Sequence, residues 1–386
     1  MPDIEQIIDF LDRRDSLALG ESPWQPAPDD SDIYELDWDV LFENEDDGEE
    51  FRSNDQNDGW SGYDRLVDTF LKRVARRPGP DEGKDAPVIE STSHYCAWYQ
   101  PIHFFGPDFG IFIRQECAIK WAKWVARFLP GSIALSHRVC RQLLRAGVYI
   151  LFLHEHYHHK VESLGLRLHV ATGKSCYLPY QTKVYRPAIG SDDQLEEALA
   201  NADAFMRLSE PRYRSSISSP VVKALKEYLR WSFPYNPPGY RRATAYLTDF
   251  PFDCGEDVLQ ERVRLASLAT VDEDDWGCAP QMTRSILTVR QPIWWLVPRG
   301  SRPIVPVTSS PIRTCSSDQL IKLCESRGYE KVSGGKGSHV KLKKPNSPMV
   351  IVPGDRNNVS PGTARSTLKA LGIQSLAVLP ELVKRL

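Results

Sequence analysis

The chain lacks any apolar run long enough to cross a bilayer. Residues 1–19 carry charges throughout and have no apolar core of the signal-peptide kind. The eight cysteines, at 96, 117, 140, 176, 254, 278, 315 and 324, never form a C-x-x-C pair. The first two absences point to a cytoplasmic protein with no membrane partner. The third argues against a zinc ribbon and reads as reduced, mostly buried thiols, not a disulfide framework. Histidine is missing from most of the chain: eight of nine lie between His94 and His169, and His339 stands alone. What is present is ordinary for a globular protein. The 386 residues, 41% apolar and 26% charged, suffice for two or three domains with real cores.

A net charge of -3 hides an asymmetry. Nearly half of residues 29–58 are Asp or Glu, whereas residues 316–386 carry a net charge of about +7. Within the acidic stretch, Asp32 to Phe42 alternates acids with apolar and aromatic residues. Two readings are open: an arm packing on the body of the protein, or an internal mimic of RNA that covers the basic C-terminal part. Amphipathic helices are expected at residues 3–14 and 63–77. Strand-like pieces stand at Val88-Ile89 and Gly110 to Ile113, the second suited to an edge strand beside a catalytic helix. Further helices are expected over 114–129, 136–163 (capped by Gly165), 191–205 (capped by Ser191), 220–231 and 256–268, and a buried strand over 293–297.

An apolar run, Tyr149 to Leu153, feeds into His154-Glu155-His156-Tyr157-His158. On a helix, positions i and i+4 share a face, so His154 and His158 can point two imidazoles at one zinc ion. Glu155 stands beside them, placed to take a proton from water on the metal. The other reading is a polar helix that is rich in histidine by accident. Zinc needs one more protein ligand and keeps a position for water. The helix expected after Ser191 supplies candidates: Glu197 binds zinc, or Glu196 does. Asn201, one turn beyond Glu197, favours the former, because it can hold a ligand imidazole by its free N–H. His94, His103 and His137 are unranked candidates for an oxyanion donor. His156, His159 and His169 are assigned solvated or packing roles.

Residues 140–206 resemble the gluzincins, and within them the ImmA/IrrE group of bacterial metallopeptidases, which pair HExxH with a later Glu in an Ala-Asn-containing helix. The spacing of Asn201 and Phe205 departs from that helix. The resemblance implies a zinc-dependent peptidase acting on a protein partner, often a repressor. A metzincin continuation is absent, since Val161 and Leu164 stand where its Gly and third His would be.

At the C-terminus, Ser316 to Tyr329 reads as a capped helix ending in Gly328. A strand at 330–332, a glycine-rich turn, the alternating strand Ser338 to Lys343, a third strand at 348–353 and a helix from Pro361 to Ile373 follow, in the order α-β-β-β-α. Gly-Ser-His339 before a basic strand, Val352-Pro353-Gly354, and Pro361-Gly-Thr-Ala-Arg-Ser-Thr-Leu-Lys-Ala-Leu-Gly-Ile373 closely resemble HicA, the toxin of HicAB toxin–antitoxin systems. That resemblance implies a double-stranded-RNA-binding-like fold, mRNA cleavage with His339 as catalytic histidine, and inhibition by a HicB antitoxin. Asp355 departs from the pattern, standing where many members carry a second His. Lys336, Lys341 and Lys343 are expected to hold RNA phosphates.

The expected architecture is α+β: an acidic N-terminal arm (1–60), a mostly helical, zincin-like HExxH metallopeptidase domain (61–298), a linker (299–315) and a HicA-like domain (316–386). The function expected is Zn2+-dependent proteolysis of a HicB-like antitoxin or of the protein's own linker, joined to an endoribonuclease in toxin–antitoxin or phage-defence biology. The alternative is a non-catalytic zinc scaffold carrying an RNA-binding module.

Overall fold

The computed structural model describes residues 31–41, 96–105, 109–214, 216–267, 292–298, 300–307, 315–332, 339–354, 359, 361–373 and 379–384. The helices expected at 3–14 and 63–77, the Val88-Ile89 strand, His94, the glycine-rich turn, Lys336 and Asp355 lie outside them.

Among the described residues the architecture is mixed α+β, mostly helical with two small sheets. In chain order the larger part holds β1 (Ser31–Glu35), α1 (Trp38–Leu41), β2 (Ala97–Gln100), α2 (Ile102–Phe105), β3 (Gly110–Arg114), α3 (Gln115–Ala126), α4 (His137–Thr172), α5 (Tyr177–Tyr180), α6 (Leu195–Arg207), α7 (Ser219–Ser232), α8 (Asp249–Ala266) and β4 (Ile293–Pro298). Its sheet runs β1-β4-β3-β2, with β3 and β4 parallel and both outer pairs antiparallel. Strand alternation sorts the side chains. Tyr99, Ile111, Ile113, Trp295 and Val297 enter the main core with α3 and α4, while Phe112, Leu296 and Ile33 cluster with Trp98 and Trp294. The edge strand on the side of the helical core is therefore β2; β3, expected at an edge, is interior. A single hydrophobic strand cannot reveal which of its two sides is paired.

α4 organises this part. Ser136 caps it, accepting from Val139 N–H at 3.3 Å. Its first half, through Leu153, lies in one core with α3, α6 and α7; from Tyr157 on it lies in a second core with α5, α6 and α8. The helix does not stop near Gly165 but continues to Gly173, whose φ of 68° makes the left-handed cap. Gly165 serves packing instead: a Cβ there would sit 2.7 Å from the Tyr177 Cβ, so its absence lets α5 approach. Ser191 likewise caps nothing, because α6 begins four residues later at Leu195.

The acidic arm packs on the helical part over residues 31–41. β1 pairs with β4, Trp38 lies 4.2 Å from the Phe152 ring centroid, and Arg145 Nε donates to the Leu41 carbonyl at 2.7 Å. These residues thus pack on the body as an arm. The segment expected as linker is also built in over 300–307. Gln115 donates to the Arg302 carbonyl and accepts from Ile304 N–H, and Ile304 and Val305 are buried. One expectation about cysteine fails: Cys96 and Cys117 form a disulfide across a Cα separation of 5.2 Å. It joins the residue before β2 to the first turn of α3, two positions brought together by the β2–β3 pairing and not by a spacing motif. Cys140, Cys176, Cys315 and Cys324 are free and buried, Cys254 free and exposed. Among the described residues no helix is long and apolar enough to cross a membrane.

The C-terminal domain holds α9 (Ser317–Ser326), β5 (Glu330–Lys331), β6 (His339–Lys343), β7 (Val350–Pro353), α10 (Pro361–Ala370) and α11 (Leu379–Lys384) around its own core of Leu320, Leu323, Leu342, Val350, Val352 and Leu368. A capping box between Ser316 and Gln319 starts α9.

Candidate functional site

The middle of α4 and the first turns of α6 face each other. Their register brings His154, His158 and Glu197 together as a group able to hold a metal ion. Glu197 Oε2 lies 3.1 Å from His154 Nε2 and 3.6 Å from His158 Nε2, and the two Nε2 atoms are 3.4 Å apart. Tetrahedral zinc with ligands at 2.0–2.1 Å separates its ligand atoms by about 3.3–3.4 Å, so the triangle has the size a zinc ion needs. Glu197 is 1% exposed, and its Oε2 makes no regular hydrogen bond. A buried carboxylate oxygen facing two imidazole nitrogens offers a cation a third ligand.

The far side of each imidazole is engaged. His154 Nδ1 is 2.9 Å from Asn201 Oδ1, and His158 Nδ1 is 2.6 Å from Glu196 Oε1. Both acceptors take an Nδ1–H, which leaves each Nε2 lone pair aimed into the triangle. Glu196 and Glu197 therefore divide their work. Glu197 faces the triangle, while Glu196 sits behind His158 and accepts from Tyr180 OH at 2.6 Å. Tyr185, carried by a π-helical turn at Gln181–Tyr185, donates to Glu197 Oε1. Burial alone would push His158 down, but the Glu197 and Glu196 carboxylates outweigh it and hold its pKa well above the usual value. Burial would raise Glu197, yet His158 and His154 hold it well below the carboxylate range.

Glu155, the residue after His154 on α4, is buried as well. Burial raises its pKa, opposed by His154 and His158, and the Tyr99 backbone N–H donates to it. Three residues that the sequence did not single out meet this cluster. Tyr240 stacks on the His154 ring at 5.6 Å, and its phenol reaches Glu197; burial and the Glu197 and Glu155 charges keep it protonated. Asn201 Nδ2 ties the Tyr240 carbonyl at 3.3 Å. Tyr185 and Tyr99 are the others. Of the histidines considered as oxyanion donors, His103 is committed to Glu162 at 2.5 Å and His137 opens α4 far down the helix. His159 bonds Tyr99 OH at 2.8 Å, and burial takes its pKa down to about 4.

In the C-terminal sheet, ordered β5-β6-β7, His339 pairs with Pro353, Lys341 with Ile351 and Lys343 with Glu330. Directly opposed residues share a face. Leu342 and Val350 are buried toward the helices, whereas Lys343 and Ile351 are exposed and Lys341 half-buried. The basic side chains thus stand on the face opposite the helices.

No curated protein and no solved structure matches the chain. Residues 317–373 match the family model of the HicA toxin of bacterial toxin–antitoxin systems, and the C-terminal domain is HicA-like.

Proposed function

We propose that the helical part is a zincin-like, zinc-dependent peptidase and that the HicA-like domain binds and cleaves RNA, with proteolysis controlling the toxin in toxin–antitoxin or phage-defence biology. The observation that carries the first half is the triangle of His154 Nε2, His158 Nε2 and Glu197 Oε2, each atom backed by a partner that aims it inward. A zinc ion held there supplies Lewis acidity and acidified water. Glu155 takes the proton from the attacking water and delivers it to the leaving amine; its raised pKa suits that exchange. Tyr240 donates to the carbonyl oxygen as charge develops on it.

The substrate is an extended protein segment that adds to the open edge of β2. A HicB-like antitoxin fits that description, and so does the chain's own linker. Residues 300–307 of that linker are packed into the helical part. In the second half of the reading, His339 activates a ribose 2′-hydroxyl while Lys336, Lys341 and Lys343 hold phosphates.

The test is metal analysis with two variants of the full chain. The purified protein holds about one zinc per chain. Glu155→Gln keeps the zinc and loses proteolysis by about a thousandfold. His339→Ala loses RNA cleavage and leaves proteolysis intact. A native protein without zinc removes the peptidase half; a Glu155→Gln protein as toxic as the parent removes the coupling.

A further inference from the structure

Two carboxylates of α4 grip the same strand. Arg114 N–H donates to the Cys96 carbonyl at 2.9 Å, so residues 96, 98 and 100 bond to β3, and the backbone of Ala97 and Tyr99 faces the open side. On that side the Tyr99 N–H meets Glu155. Two turns along α4 from His154, Glu162 holds Tyr99 and the start of α2. It is 1% exposed and accepts from the Tyr99 hydroxyl, from Ile102 N–H at 3.1 Å, from His103 N–H at 2.9 Å and from His103 Nδ1 at 2.5 Å. The Tyr99 hydroxyl has one proton and gives it to Glu162, so His159 Nδ1–H donates to the Tyr99 oxygen at 2.8 Å.

None of these bonds is part of the metal group. They converge instead on the last residue of β2 that faces outward and on the turn that follows it. His154, His158 and Glu162 are spaced i, i+4 and i+8 on one rigid helix, so an anchor at Glu162 sets the height of β2 relative to the two imidazoles. Among the described residues that side of β2 has no strand partner, and such a strand is otherwise free to slide or fray; a shift of one residue would exchange its outward groups for its inward ones.

We propose that Glu162 and the Tyr99 hydroxyl are positioning residues: they fix β2 against α4 so that an extended peptide paired to the Ala97 backbone and the Tyr99 carbonyl lies with a carbonyl at the metal group. This rests on the peptidase reading and adds to it which residues set substrate register. Neither residue touches the reacting atoms. Their loss therefore weakens the hold on a peptide backbone and spares the metal.

The experiment compares two probes on the zinc-loaded full chain. Acetohydroxamate reports on the metal alone; a tripeptidyl hydroxamate reports on the metal and the strand edge together. In Tyr99→Phe and Glu162→Gln the tripeptidyl probe binds about tenfold more weakly, the worth of one buried hydrogen bond to a charged group, while zinc content and acetohydroxamate affinity are unchanged. The Tyr99→Phe variant keeps the aromatic core contact and the Glu155 bond, so it carries the test if Glu162→Gln does not fold. Equal losses for both probes, or none for either, overturn the inference. Failure of the parent protein to bind either probe overturns the peptidase reading and this inference with it.

Discussion

The metal group and the basic sheet place their chemistry in opposite ways. Around α4 every candidate group is buried and has a second partner: Asn201 behind His154, Glu196 behind His158, Tyr185 on Glu197, Tyr99 on Glu155. On the C-terminal sheet Lys341 and Lys343 stand toward solvent on a small three-stranded platform. A site that must pull a cation out of water gains from groups held before it arrives, and it tolerates little rearrangement. A surface that reads a polyanion gains from the number of its charges more than from their exact placement. Substitutions near α4 should therefore cost much and act through neighbours, while substitutions on the sheet should cost little each and act alone.

The largest expected effect tests how far the held region extends. Cys96–Cys117 closes a loop over 21 positions at the start of β2. Cross-linking of that length contributes about 3 kcal/mol through the unfolded chain. Cys117→Ser, or reduction by a dithiol, should lower the denaturant midpoint of the helical part accordingly and leave that of the C-terminal domain where it was. Unchanged unfolding on reduction would show that β2 is held without the disulfide, by its pairing with β3 and its hydrogen bonds to α4.

Next comes the shell behind the imidazoles. Asn201→Ala and Glu196→Gln should each weaken zinc binding about 10- to 100-fold, measured by competition with a chelator, without altering RNA binding. Equal zinc affinity in both variants would mean that the imidazoles are oriented by packing, and the contrast between the two regions would lose half its content.

The sequence announced the rod and not its surroundings. His154, Glu155 and His158 follow from helical periodicity, as do Glu197 and Asn201 on one face of α6, because both patterns are local. The division of labour between Glu196 and Glu197 is not local: neighbouring residues on a helix point about 100° apart, and only the packing of α6 on α4 decides which one faces the two Nε2 atoms. Tyr99, Tyr185 and Tyr240 carry no periodic mark and come from a strand, a π-helical turn and a 3-10 turn. The Cys96–Cys117 pairing depended on sheet order, as did the choice of β2 over β3 for the edge. In the C-terminal domain the described elements are contiguous, so the cap at Ser316, the turn at Gly328 and the alternating strand β6 could be read directly. That is also the region where the family match falls.

The smallest effect expected belongs to the basic sheet, and its form matters more than its size. Lys341 lies opposite Ile351 and Lys343 opposite Glu330, so the second lysine already shares its place on the sheet with an acid. If both lysines bind phosphates of a single strand, each releases about 0.7 of a counterion. The double variant Lys341→Ala/Lys343→Ala should then flatten the dependence of log affinity on log salt by about 1.4, with little change in sequence preference. Glu330→Gln should strengthen RNA binding by a few-fold at low salt, an effect of roughly 0.5 kcal/mol that vanishes at high ionic strength. If the slope stays as it was while affinity falls, the lysines act by shaping the sheet. The basic surface would then be a positioned site after all, and the difference between the two regions would be one of degree.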